Sequence, residues 1–109
     1  MNRKVTVVGG AGNVGATVAR VVAQKELADV VIVDIAESKA AGVALDIYQS
    51  CATGGSAARV EGVGTDGFAA SAGSDVVVIT SGVPRKPGMS RDDLLAVNYK
   101  IMQDVTAEI

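Results

Sequence analysis

The stretch Gly10-Ala11-Gly12-Asn13-Val14-Gly15 constrains this chain more than any other feature. It has the spacing G-x-G-x-x-G, with a β-branched run directly before it and an amphipathic run directly after it. The first run, Lys4–Gly9 (KVTVVG), is short, rich in valine and ends in glycine, as a buried strand does. The second run, Asn13–Lys25, places Val14, Val18, Val21 and Val22 at i, i+4, i+7 and i+8, the apolar stripe of a helix. Each glycine then has a mechanical task. Gly10 permits the tight strand-to-helix turn, Gly12 clears a side chain from the backbone, and Gly15 lets the helix pack closely on the strand. The chain therefore begins as strand, tight turn and helix.

The same rhythm continues to the end. Asp29–Asp34 (DVVIVD) reads as a second buried strand and Glu37–Ala52 as an alanine-rich helix that is apolar on more than one face. Gly54-Gly55 marks a loop before a weaker strand, Ala58–Val63. Asp75–Thr80 (DVVVIT) is a strong fourth strand, and Ser81–Ser90 holds both prolines and so reads as a loop. Arg91–Ile109 reads as a helix, with Asp92 and Asp93 in its first turn and a stripe of Leu94, Val97, Ile101 and Val105. Asp66–Gly73 is compatible with a short helix or a loop. Continuous apolar strands alternating with helices predict an α/β fold. It is a Rossmann-type parallel sheet with helices on both faces, here the first four strands in order 3-2-1-4.

The second strand ends in Asp34, 19 residues past Gly15. An acidic residue at that place, after a glycine turn that opens a helix, points to a dinucleotide. Pyrophosphate would sit on the free N–H groups of Asn13 and Val14 at the positive helix end. Asp34 would accept hydrogen bonds from the adenosine ribose and repel a 2′-phosphate, which favours NAD over NADP. The plainer alternative is a glycine turn without a ligand, with Asp34 as a helix cap.

Composition narrows the chemistry. The formal net charge is −2, with Lys+Arg 10 against Asp+Glu 12, so no basic excess exists to neutralise nucleic-acid phosphates. No apolar run is long enough to span a membrane. The basic residues near the start are followed by a strand and a glycine cluster rather than a signal-peptide core, so the expected location is cytoplasmic. The single Cys51 reads as a small buried hydrophobe. No metal site is expected. The chain has no histidine, which removes any mechanism that needs one as its acid, base or ligand.

The loop after the fourth strand, Ser81 to Arg91, holds Arg85, Lys86 and Arg91 within seven positions. In a doubly wound sheet ligands bind beyond the carboxyl ends of the strands, where this loop begins. Arginine grips a carboxylate with a planar fork, so Arg85 and Arg91 suit a small dicarboxylate. A merely solvated basic loop is the competing interpretation.

The runs GGAGNVG, IVDI, ALDIYQS and ITSGVPRKPGMSRDDLLAVN together resemble the lactate/malate dehydrogenase family, and its malate branch in particular. The resemblance spans essentially the whole chain. It implies an NAD-dependent oxidoreductase that interconverts malate and oxaloacetate by hydride transfer, as in the tricarboxylic acid cycle. On this resemblance Arg85 pairs with the second carboxylate of the substrate. Arg91 polarises the substrate carbonyl, and Asn98 lies near substrate and nicotinamide. The cofactor runs along Thr80, Ser81 and Gly82. The resemblance also implies a homodimer or homotetramer in which the helix 37–52 packs across a subunit interface. The family's catalytic His/Asp pair has no counterpart here, so no catalytic residue is assigned and this chain alone is expected to be inactive. The resemblance thus makes residues 1–109 the N-terminal part of an NAD-binding domain, without the catalytic domain. Two other readings remain: a dehydrogenase of another 2-hydroxy acid such as lactate, and a stand-alone dinucleotide-binding module without catalysis.

Overall fold

A computed structural model describes residues 3–82 and 87–108. The element order is β1 (Lys4–Val8), α1 (Asn13–Gln24), β2 (Asp29–Val33), α2 (Glu37–Gly54), β3 (Val60–Val63), a 3-10 segment (Thr65–Ser71), β4 (Val76–Ile79) and α3 (Arg91–Glu108). The strands form one sheet in the order β3-β2-β1-β4. Every pairing is parallel, with Val7 opposite Ile32 on one side and Val78 on the other. This is the predicted topology, a Rossmann-type sheet.

Strand alternation divides the core between the two faces. Val7, Val30 and Ile32 point to one face and pack with Ala19 and Ala23 of α1 and with Ala40, Ala44, Ile47 and Cys51 of α2. Val8, Val31 and Val33 point to the other, where Phe68 of the 3-10 segment and Val105 of α3 meet them. Ile32, Ile47 and Val7 are fully buried, and each such side chain contributes about 1.5–3 kcal/mol by leaving water. Cys51 is buried and free, as expected.

The stripe expected on α1 is corrected. Its buried residues are Gly15, Ala19 and Ala23. Val18 and Val22 only flank the core, while Val14 and Val21 face outward. Small residues bring the helix axis close to the sheet, which leaves no room for valines between them. On α2 the expectation of two apolar faces holds: Ala40, Ala44, Ile47 and Cys51 are buried, and Leu45 and Tyr48 are exposed on another side. Its end is set by Gly55 in the left-handed region, with Ser56 N–H bonded back to the Cys51 carbonyl at 2.8 Å. The region 66–73, undecided from sequence, is mostly the 3-10 segment. Lys4 ties its end to β1 by donating from Nζ to the carbonyls of Ala70 and Ala72 at 2.8 and 2.7 Å. Thr6 lies fully buried in β1, and its hydroxyl is matched by Ser74 Oγ at 2.6 Å.

Helix α3 differs from the others in having no buried residue. Of its predicted stripe, Leu94, Ile101 and Val105 are half-buried and Val97 is exposed. Its start is well defined. Ser90 Oγ accepts the Asp93 N–H at 3.0 Å, and Asp93 Oδ2 accepts the Ser90 N–H at 3.1 Å, a reciprocal capping box. Asp93 thus satisfies a specific donor as well as opposing the helix dipole.

Candidate dinucleotide site

The site lies at the carboxyl ends of β1, β2 and β4. β1 leaves the sheet through Gly9, whose N–H bonds the Val33 carbonyl at 2.7 Å. Gly9, not Gly10, carries the turn conformation, with φ +85°. An L-residue with a side chain pays a steric cost there. The task assigned to Gly10 is corrected accordingly. Gly10 is buried, and a Cβ on it would lie 2.5 Å from Ile32 Cγ2, so it lets the turn close on β2. Gly15 is more tightly held than expected. A Cβ there would lie 2.5 Å from the Gly9 carbonyl oxygen, 2.7 Å from Gly10 Cα and 2.8 Å from Thr80 Oγ1. Its close approach is therefore to the turn and to the end of β4.

Gly12 is the N-cap of α1, with extended backbone and no side-chain cap, and the first turn contains no acidic residue. A Cβ on Gly12 would meet only the Gly9 oxygen, at an ordinary 3.5 Å. This helix end thus keeps open space, and no side chain competes with an anion for its leading N–H groups. Asn13 and Val14 form its first exposed positions.

Asp34 follows β2 directly and is half-buried. Its Oδ2 accepts the Ala11 N–H at 3.1 Å and its Oδ1 accepts the Ala36 N–H at 3.0 Å. The carboxylate is thereby fixed against the glycine turn before any ligand arrives. Each oxygen keeps acceptor capacity for a second donor, such as a ribose hydroxyl. The alternative of Asp34 as a cap has a partial basis, since Ala36 is the N-cap of α2. The bond to Ala11 shows that the carboxylate also serves the turn.

A cavity of about 290 Å³ opens beside these groups. Gly9, Gly12, Asp34, Thr80, Ser81 and Gly82 line it, and Phe68, Ile101 and Val105 supply apolar surface. Ile35, 88% exposed, stands at its rim beside Asp34. Asp34 is the only ionisable side chain among the described residues that line it. The hydroxyl of Thr80 is engaged within the protein: it bonds the carbonyl oxygens of Val8 and Gly9 at 3.0 and 3.2 Å. Asn98 of α3 is half-buried, and its Oδ1 would lie 3.1 Å from a Cβ on Gly82. Arg91 is exposed at the first position of α3. Arg85, assigned to the substrate's second carboxylate, lies outside the described residues. Another hollow, of about 430 Å³, opens near the amino ends of the strands around Lys4, Asp29 and Arg59. It is larger but shallow and carries charges of both signs, and it is remote from the glycine turn. Among the described residues no group of side chains is arranged to hold a metal ion, and no helix is long and apolar enough to cross a membrane.

What sequence reasoning missed here is the part played by Gly9 and by the Thr80 hydroxyl. Gly9-Gly10 was visible as a pair, but which of the two takes the left-handed conformation depends on the hydrogen bond from Gly9 to β2.

A parallel sheet, a glycine turn, an uncapped helix end and a carboxylate at the next strand end define a dinucleotide-binding domain. The family model for the lactate/malate dehydrogenase NAD binding domain matches residues 3–109, and the chain belongs to that family. A malate dehydrogenase of Staphylococcus saprophyticus is 53% identical over 109 residues, covering 98% of this chain and 34% of that protein. The apo structure of malate dehydrogenase from Picrophilus torridus superposes with TM-score 0.94 at 44% identity, over 98% of this chain and 34% of the other. Malate dehydrogenase from Archaeoglobus fulgidus in complex with NADH superposes with TM-score 0.88 at 36% identity, over 97% of this chain and 35% of the other. The chain thus spans about a third of the length of the relatives it matches.

Proposed function

We propose that this chain is the NAD-binding portion, residues 1–109, of a cytoplasmic malate dehydrogenase that acts as a homodimer or homotetramer. The observation that carries the reading is the Asp34 carboxylate fixed to the Ala11 N–H beside the uncapped start of α1. This arrangement offers a ribose acceptor and a pyrophosphate cradle within one turn. Bound NAD supplies the hydride acceptor. The residues of the chain do the rest of the work on this side of the site. Asn13 and Val14 present backbone N–H groups to the pyrophosphate, and Gly12, whose own N–H is bonded to the Gly9 carbonyl, leaves space for it. Asp34 orients the adenosine ribose. Gly10 and Gly15 hold the turn against β2 and β4. Thr80, Ser81, Gly82 and Asn98 flank the path to the nicotinamide end.

Arg85 and Arg91 would bind the two carboxylates of malate or oxaloacetate, with Arg91 also polarising the reacting carbonyl. Hydride transfer to a 2-oxo acid leaves an alkoxide that needs a proton. The chain contains no histidine, and Asp34 is committed to the adenosine side of the cavity. The family resemblance assigns the acid/base to a His/Asp pair that has no counterpart in these 109 residues. Two apolar faces on α2, with Leu45 and Tyr48 exposed, support the subunit contact.

The test is steady-state kinetics of Arg85→Gln in the protein as expressed from its native gene. The ratio of kcat/KM for oxaloacetate over pyruvate should fall about 10–100-fold, the value of one charge-assisted hydrogen bond. An unchanged ratio makes Arg85 a surface charge and returns the lactate-type reading to the front.

A further inference from the structure

The Gly9 carbonyl is the hub of the glycine turn. It accepts the Gly12 N–H at 3.1 Å and the Thr80 hydroxyl at 3.2 Å. The bond from Gly12 sets the position of the α1 N-cap, and with it the N–H groups of the anion cradle. Gly9 has φ +85° and is followed by Gly10. The peptide between two glycines is the least restrained of the turn, because neither neighbour has a Cβ to limit its rotation. Rotating it would withdraw the carbonyl from Gly12 and release the N-cap.

Thr80 is placed to prevent that rotation. Its N–H bonds the Val8 carbonyl at 2.8 Å. Its single hydroxyl proton is shared between the Val8 carbonyl at 3.0 Å and the Gly9 carbonyl. The same oxygen would lie 2.9 Å from a Cβ on Gly9 and 2.8 Å from one on Gly15, so it is wedged between the turn and α1. We infer that Thr80 is a positioning residue. Its hydroxyl locks the Gly9 carbonyl and so holds the pyrophosphate-binding end of α1 in place, acting through the turn rather than by touching the cofactor. The inference rests on the NAD reading of the site for its ligand, but not for the lock itself.

Thr80→Val keeps the shape and removes the hydroxyl, and Thr80→Ser restores it. In the nucleotide-free protein, amide exchange at Gly12 should accelerate about tenfold in Thr80→Val and return to the wild-type rate in Thr80→Ser. The Kd for NADH should rise about tenfold in Thr80→Val and recover in Thr80→Ser, while the affinity for adenosine, which has no phosphate, stays unchanged. Thr80→Ala carries the same readouts if the valine variant does not fold. Unchanged Gly12 exchange and unchanged NADH affinity overturn the inference. So does a serine variant as impaired as valine, or an equal loss of adenosine and NADH binding with a lowered Tm. If wild type binds no NADH, the NAD reading fails, and the Gly12 exchange rates alone then decide for or against the lock.

Discussion

The turn from β1 to α1 and the helix α3 border the same cavity but are held in different ways. The turn is fixed on three sides. Gly9 bonds β2 through the Val33 carbonyl, Ala11 bonds Asp34, and Thr80 bonds the Val8 and Gly9 carbonyls. Gly10 and Gly15 leave no space even for a methyl group. Helix α3 has a well-made start, yet it buries no residue, and Leu95 and Tyr99 are each 67% exposed. Order in the first region comes from backbone geometry set by a few neighbouring residues. In the second it depends on capping and on partial contact through Ile101 and Val105. The cofactor end of the site is therefore preorganised, which lowers the ordering cost of binding. The end proposed to hold the substrate rests on residues with fewer neighbours in this chain.

The largest expected effect, a loss of nucleotide binding together with stability, breaks the first region. Gly15→Val would drive a branched side chain into the Gly9 carbonyl, Gly10 Cα and Thr80 Oγ1. Two of these are backbone atoms with no room to yield. Overpacking of this kind costs about 1–3 kcal/mol or more, and urea denaturation should show it as a lowered midpoint together with loss of NADH binding. Retained affinity would mean that α1 does not sit against the turn.

A second pair of substitutions sharpens the contrast in packing. Ile47→Ala removes a fully buried side chain beneath the sheet and should cost about 2–5 kcal/mol. Leu95→Ala on α3 should change stability by no more than about 0.5 kcal/mol, as expected for a surface position. Comparable losses in the two variants would show that α3 is packed in solution.

The smallest effect concerns the start of α3. Ser90→Ala deletes the oxygen that accepts the Asp93 N–H and should cost about 1 kcal/mol. The loss should appear as faster amide exchange in the first turn of α3, with the β1–α1 turn unchanged. A change in both regions would mean that they are coupled more strongly than their contacts indicate.

The parts of the molecule that could be read from sequence follow the same division. Strand positions and their parallel order are legible in the sequence, because each depends on local pattern and spacing, whereas the bond that ties Asp34 to the glycine turn through Ala11 is not. The buried face of α1 is not legible in the sequence, since hydropathy favours Val14 and Val21 whereas close packing selects Gly15, Ala19 and Ala23. The tight-turn role fell on Gly10 rather than Gly9, because only the bond across to Val33 distinguishes the two. The 3-10 segment was undecided because Phe68 is its one large apolar residue, and its value lies in covering Val8, Val31 and Val33 on the far face of the sheet. The bonds of the Thr80 hydroxyl join atoms more than seventy positions apart, and no local pattern reports them.

Asp34 and the β1–α1 turn together are proposed to form a cradle selective for NAD. Calorimetric titration of NADH and NADPH into wild type and Asp34→Ser tests it most directly. Wild type should bind NADH about tenfold or more tightly than NADPH, a difference of about 1.4 kcal/mol or more. In Asp34→Ser the preference should collapse, chiefly through weaker NADH binding, because the carboxylate that accepts the ribose hydroxyls and repels a 2′-phosphate is gone. Equal affinity of the wild-type protein for both nucleotides would contradict the assignment of Asp34 to the ribose, and with it the account of this site.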